Sequence, residues 1–187
     1  MKIGILALQG DVIEHLNAVK KASVKLKIKC EIVEVRIKKD FEGLDALIIP
    51  GGESTTLMKL IEREGIAVEI KNIKNIFGTC AGAILLSKSH FNLMDIEVKR
   101  NAYGSQIDSF EEKIDSKFGE IGGIFIRAPR IVGIGSNVDI IAKSLDKHRE
   151  IFGVEQKKDG RFYIALSFHP ELNSTRFHEY FLEQCLR

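Results

Sequence analysis

Gly78-Thr79-Cys80-Ala81-Gly82 fits the pattern G-x-C-x-G and stands between a strand-like run and a helix-like run. This is the thiol version of a nucleophile elbow, a turn tight enough to push its central residue into a strained backbone conformation. Side chains two residues either side would collide, which is why glycine is required at both places. The first amides of the following helix favour a thiolate, and the Ala81 N–H is placed to meet a developing oxyanion. On the pentapeptide alone, a structural cysteine beside a glycine-rich turn remains open.

A thiol nucleophile needs a base, and Phe168-His169-Pro170-Glu171 follows the apolar run Tyr163–Ser167. Pro170 keeps His169 out of helical geometry. In an extended chain residues i and i+2 share a side, so Glu171 can accept from one ring nitrogen while the other faces Cys80. An isolated histidine is more often an ordinary core or surface residue; the strand-end position and the paired carboxylate set this one apart. His15, His90, His148 and His178 lack that setting, and His178 is expected to be structural. Pro50-Gly51-Gly52-Glu53-Ser54 follows another apolar run, and its glycines offer backbone N–H groups to an anion or oxyanion. A plain strand-to-helix turn with a serine cap is the bland alternative. No lysine follows the glycines, which argues against a P-loop.

These groups need a scaffold, and the alternation of the chain supplies one. Strands are predicted over Lys2–Leu8, Cys30–Ile37, Asp45–Ile49 and Asn75–Gly78. Helices are predicted over Asp11–Leu26, capped by Asp11, over Ser54–Arg63, capped by Ser54, and over Ala81–Lys88. Val12, Leu16, Val19 and Ser23 share a face of the first helix, with His15 and Ala22 beside it. The order implies an α/β fold, a parallel sheet with helices on both faces. Further strands are predicted over Glu97–Lys99, Gln106–Ile114, Gly123–Ile126 and Asp139–Ala142. Ile151–Gln156 pairs with Tyr163–Phe168 around Asp159-Gly160. Ser174–Leu186 reads as a final amphipathic helix.

The chain has 187 residues, the size of one domain spanning 1–187, and a net charge of +2 from 28 basic and 26 acidic residues. That balance argues against a nucleic-acid binder. Its three cysteines, Cys30, Cys80 and Cys185, are neither a disulfide framework nor a metal-ligand pattern, and point to a reducing cytoplasm. Cys30 and Cys185 read as core residues. Ile3–Leu8 is too short for a signal-peptide core or a membrane span.

Together the motifs resemble class I, triad-type glutamine amidotransferases, over nearly the whole chain. Within them the chain is similar to the glutaminase subunits of pyridoxal 5′-phosphate synthases. The segments that carry this are Leu6-Ala7-Leu8-Gln9-Gly10 with Glu14-His15, Pro50-Gly51-Gly52-Glu53-Ser54-Thr55-Thr56, Gly78-Thr79-Cys80-Ala81-Gly82 and Arg100-Asn101 with Tyr103-Gly104. Asp108-Ser109-Phe110-Glu111, Phe125-Ile126-Arg127-Ala128-Pro129 and Phe168-His169-Pro170-Glu171-Leu172 complete the set.

The resemblance implies a three-layer, flavodoxin-like sandwich with a mainly parallel central sheet. It makes Cys80 the nucleophile, with His169 and Glu171 completing a triad, and places the oxyanion hole at the amides of Gly52 and Ala81. Gly52, Glu53, Ser54, Arg100, Ile126 and Arg127 would line the glutamine site. An arginine suits an α-carboxylate; without the resemblance, Arg100 reads as a solvated charge and Arg127 as half of an ion pair. It implies no metal, no organic cofactor, and no nucleic-acid or membrane partner.

Ammonia is expected to pass to a separate lyase subunit of barrel fold, in a hetero-oligomer that makes pyridoxal 5′-phosphate in the cytoplasm. The segment around Gln9 would lie near that interface, and docking would activate a weak glutaminase. Ser105, where this family often has arginine, is a departure. The alternatives are a glutaminase serving another acceptor, a stand-alone thiol hydrolase of the elbow fold, and a non-enzymatic descendant.

Overall fold

The structure, a computed structural model, describes residues 1–100 and 109–187. The Gln106–Asp108 start of one predicted strand, Ser105, and the Asn101, Tyr103-Gly104 and Asp108 parts of the resemblance lie outside the described residues.

The first half alternates strand and helix: β1 (Lys2–Leu6), α1 (Val12–Leu26), β2 (Glu31–Val35), β3 (Ala46–Ile49), α2 (Ser54–Glu64), α3 (Ala67–Asn72), β4 (Asn75–Thr79) and α4 (Ala81–Leu86). The second half is mostly β: β5 (Ile96–Lys99), β6 (Ser109–Ser116), β7 (Gly119–Ile126), β8 (Arg130–Ile134), β9 (Asp139–Ser144), β10 (Ile151–Lys158) and β11 (Arg161–Leu166), then α5 (Arg176–Cys185). Nine strands form one sheet in the order β2-β1-β3-β4-β11-β10-β9-β6-β7, while β5 and β8 pair separately. From β2 to β11 every pairing is parallel. From β11 to β7 every pairing is antiparallel.

Burial explains the placement. Every residue of β3 is buried, as a central strand covered on both faces requires. One core packs α2, α3 and α4 on one face of the sheet through Leu57, Ile61, Ile70 and Leu85. The other packs α1 and α5 on the opposite face through Val19, Ala22, Phe177 and Phe181. The result is the α/β three-layer arrangement expected. The hairpin from β10 to β11 turns on Asp159 and Gly160, both at positive φ, as a two-residue turn of that hand requires.

Four local expectations change. The buried stripe of α1 is His15, Ala18, Val19 and Ala22, rotated from the predicted face so that a histidine opens it. Asp11 occupies the cap position of α1 but makes no side-chain cap; its carboxylate turns to His169 instead. Ser54 is the first helical residue of α2, and Glu53 is the cap, its carboxylate accepting from the Thr55 and Thr56 amides at 3.0 and 2.6 Å. A carboxylate reaches two amides at once where a hydroxyl would reach one. Cys30 and Cys185 are half-buried at the margin of the second core rather than inside it.

Candidate active site

Cys80 stands alone between β4 and α4 at φ 46 and ψ −102, a left-handed conformation that a residue with a side chain adopts only when its surroundings enforce it. Its amide donates to the Leu166 carbonyl at 2.8 Å, which ties the elbow to β11. The flanking glycines are there for space. A Cβ at Gly78 would lie 2.6 Å from the Gly82 carbonyl carbon, and one at Gly82 would overlap the Ile49 carbonyl oxygen. Ala81 opens α4, where first-turn amides have no partner within the helix.

His169 follows the C-terminal end of β11, the strand beside β4 in the sheet. Its amide donates to the Ile124 carbonyl on β7 at 2.9 Å. Pro170–Leu172 form a 3-10 turn rather than continuing extended, because proline is preset for a first helical position. The turn still brings the carboxylate back: His169 Nδ1 donates to Glu171 Oε1 at 2.7 Å. The same nitrogen lies 3.2 Å from Asp11 Oδ2. With Nδ1 occupied, Nε2 is buried without a hydrogen-bond partner among the described residues and is the ring nitrogen left for the thiol, whose proximity adds to the upward shift of the ring.

The electrostatics favour a charged ring. Burial pulls the His169 pKa down, but the neighbouring Asp11, Cys80 and Glu171 outweigh it and push it up to about 12. Glu171 is raised by its own burial, against the opposing pull of His169. Burial pushes Cys185 up to about 12, so that thiol is inert. Asp11, His169 and Glu171 each offer one ligand atom, all within 4.8 Å of one another. The ring nitrogen among them already donates to Glu171, with Asp11 at ion-pair distance, which makes the group a proton-holding cluster.

Cys80 and His169 open onto a cavity of about 280 Å³, whose walls include Gly52, Glu53, Ser54, Arg100, Ile126 and Arg127. It lies just below the ~300–1,000 Å³ of typical small-molecule sites, which suits a free amino acid better than a nucleotide. Glu171 lies behind His169. The thiol points toward the Ile126 carbonyl, 3.9 Å away. Arg100 donates to Thr55 Oγ1 at 2.7 Å and reaches Ser54 Oγ at 3.4 Å. Neither Arg100 nor Arg127 has an ion-pair partner among the described residues. Arg127 sits at φ 44 in the same wall.

The Gly-Gly loop is glycine for a reason the sequence does not announce. A Cβ at Gly51 would overlap the His169 ring and lie 2.8 Å from Asp11 Oδ2. Gly52, at φ 142, lies under the Gln9 carboxamide, whose oxygen accepts from the Glu53 amide at 3.0 Å. Sequence reasoning missed Asp11, given only a capping role, and His15, set aside with the other histidines. An available signal for Asp11 was its place in the loop beyond the carboxyl end of the first strand, the end of the sheet where ligands bind in α/β folds.

A strand-to-helix cysteine elbow beside a strand-end histidine and its carboxylate defines a triad-type amidotransferase site. Residues 5–187 match the SNO glutamine amidotransferase family, and the chain belongs to it. Curated relatives are named pyridoxal 5′-phosphate synthase subunit PdxT. The one from Methanocaldococcus jannaschii is 49% identical, covering 100% of each chain. The one from Oenococcus oeni is 44% identical, covering 98% of this chain and 96% of its own. A crystal structure of a glutamine amidotransferase is 40% identical, with a TM-score of 0.82 over 99% of each chain.

Proposed function

We propose that the chain, acting as one glutaminase unit over residues 1–187, hydrolyses L-glutamine to L-glutamate and ammonia, and delivers the ammonia to a separate synthase subunit that makes pyridoxal 5′-phosphate. The observation that carries the reading is the strained Cys80 elbow opening on the same cavity as a His169 ring whose far nitrogen is held by Glu171. The PdxT relatives, named as synthase subunits, support the partner.

In the proposed mechanism His169 holds the thiol proton as an imidazolium, and the Cys80 sulfur attacks the side-chain carbonyl carbon of glutamine. The amides of Gly52 and Ala81 receive the oxyanion. His169 gives its proton to the departing nitrogen, the C–N bond breaks, and ammonia leaves a γ-glutamyl thioester. The neutral ring then takes a proton from water, whose oxygen attacks the thioester; the C–S bond breaks and glutamate is released. Glu171 keeps the ring oriented and balances its charge. Arg100 and Arg127 would bind the α-carboxylate. Ammonia is mostly protonated at neutral pH, so handing it directly to an acceptor preserves its nucleophilicity.

Glutamate release is measured with and without a purified synthase subunit, beside a Cys80→Ala control. Activity that needs Cys80 and rises with the partner supports the reading; activity no higher than the control in both conditions rejects it. Pyridoxal 5′-phosphate formation from glutamine and the two sugar phosphates tests the acceptor. Added ammonia should restore it with Cys80→Ala, and failure of that rescue would count against a pure donor role.

A further inference from the structure

Behind the triad, away from the cavity, runs a second set of buried polar groups that the mechanism above leaves unused. His15 on α1 and His178 on α5 are both completely buried. His15 Nδ1 and His178 Nε2 are 3.0 Å apart. On its other side, His15 Nε2 lies 3.0 Å from Thr79 Oγ1 and 3.5 Å from Glu171 Oε2. Thr79 directly precedes the nucleophile. Glu171 uses Oε1 for His169; its Oε2 is buried and has no hydrogen bond among the described residues.

The positions of the protons can be worked out. Burial, and then the neighbouring His178 and His169, push His15 well down, and burial takes His178 down to about 3, so each ring carries one proton. Suppose His15 carried it on Nδ1, donating to His178. The His178 proton would then sit on Nδ1, which is buried without a partner, and a lone pair of His15 would face the Glu171 carboxylate. A buried orphan donor and a lone pair against an anion are both costly. With both protons on Nε2, His178 donates to His15 Nδ1, and the His15 Nε2–H faces Thr79 Oγ1 and Glu171 Oε2. Only acceptors, His178 Nδ1 and Glu171 Oε2, are then left without a hydrogen bond, the lesser penalty.

We propose that His15 is a positioning residue for glutamine hydrolysis: its Nε2–H, oriented from behind by His178, donates to Thr79 Oγ1 and sets the positive end of that bond 3.5 Å from the second oxygen of Glu171, favouring the carboxylate whose first oxygen stays on His169. Glu171 then has an imidazole on each side, hydrogen-bonded to His169 at the turn after β11 and facing His15 of α1 electrostatically. This rests on the triad reading of the site. It reaches beyond that reading by extending the line of control from Cys80 through His169 and Glu171 to two helices on the far face of the sheet.

The groups that face Glu171 are His169 from its own turn, His15 from α1 and Asp11 from the loop before α1; Cys80 faces the ring, and His178 stands behind His15. Only His15 or His178 is altered in the test, which uses the full chain with its synthase partner. His15→Leu should lower kcat about three- to tenfold with KM within about twofold, the scale of losing a favourable charge–dipole contact of roughly 1 kcal/mol. It should also move the acid limb of the kcat/KM profile toward neutral pH, because a carboxylate that no longer faces an N–H protonates more readily. His15→Gln, which can present an N–H near the same place, should recover most of both. His178→Phe keeps a ring among Phe77 and Phe181 but removes the donor, and should shift the acid limb the same way.

An unchanged acid limb in His15→Leu overturns the proposal, as does a His15→Gln enzyme no better than His15→Leu. Should His15→Leu fail to fold, an unshifted limb in His178→Phe overturns it. If the unaltered protein itself hydrolyses no glutamine above Cys80→Ala, the triad reading has failed instead.

Discussion

Asp11 Oδ2 stands 3.2 Å from His169 Nδ1, the nitrogen that already donates to Glu171 Oε1 at 2.7 Å, so one ring N–H faces two carboxylates. Asp11 is itself lowered, first by its hydrogen bond to His169. The His169 pKa is raised, so its contribution to stability is complete below the unfolded value near 6.5 and declines as pH rises toward about 12. Asp11→Asn should narrow that window from above. Ring titration by NMR is expected to show the His169 imidazolium surviving to higher pH in the unaltered protein; identical titrations would show that Asp11 does not act on the ring proton.

The two histidines behind the triad give the opposite sign. Burial, the largest cause in each, depresses His15 and takes His178 to about 3. Below pH 6.5 the unfolded chain binds a proton at each while the folded chain does not. Their stabilisation is therefore full above pH 6.5 and is lost as pH falls, at about 1.4 kcal/mol per pH unit for each ring. Urea midpoints at pH 7.5, 6.0 and 5.0 measure this slope, and His178→Phe should reduce it by roughly half of the pair's share. A slope that stays the same would mean His178 is protonated in the fold.

Steric demand at the elbow can be separated from backbone conformation. Gly78→Ala and Gly82→Ala force a Cβ into backbone atoms, which should cost about 3 kcal/mol each. Gly43 has a positive φ but nothing within 4 Å of a would-be Cβ, so Gly43→Ala should cost only about 1 kcal/mol. Denaturant unfolding distinguishes them, and equal losses at all three sites would refute the packing argument.

Arg100 supports the wall of the cavity through Thr55 Oγ1 and Ser54 Oγ and has no carboxylate partner among the described residues. Arg100→Ala should raise KM for glutamine about tenfold or more while leaving most of kcat, the pattern of lost ground-state binding. A fall in kcat at constant KM would move Arg100 out of substrate binding.

Much of this was legible in the sequence because it rests on local rules. The buried run Ala46–Ile49, the Asp159-Gly160 turn and the glycines around Cys80 are each dictated by neighbours along the chain. Asp11 was not legible, since a capping position and a reach to His169 look alike until two distant loops meet. His15 was hidden for a related reason: a polar residue at the start of a buried helical stripe makes sense only once Thr79, Glu171 and His178 have come from three other elements. Glu53 shows the finer limit, where cap and first helical residue were confused by one position. The short α3 and β8 had no strong periodicity and were not predicted at all.

The β4–β11 ladder pairs Thr79 with Leu166, and the Cys80 amide closes onto the same Leu166 carbonyl. Nucleophile and base thus leave the sheet one and three residues beyond a single rung, at the seam where parallel pairing gives way to antiparallel. Their separation is set by sheet pairing, not by loop length. Gln9, Gly52 and Arg127 stand three, three and one residues beyond the rungs Leu6–Val35, Ile49–Gly78 and Ile126–Ser109 of the same sheet. Thiol, imidazole and these wall residues are therefore spaced by one hydrogen-bonded ladder, so a residue inserted between a rung and its site residue would displace one wall of the cavity and leave the others in register.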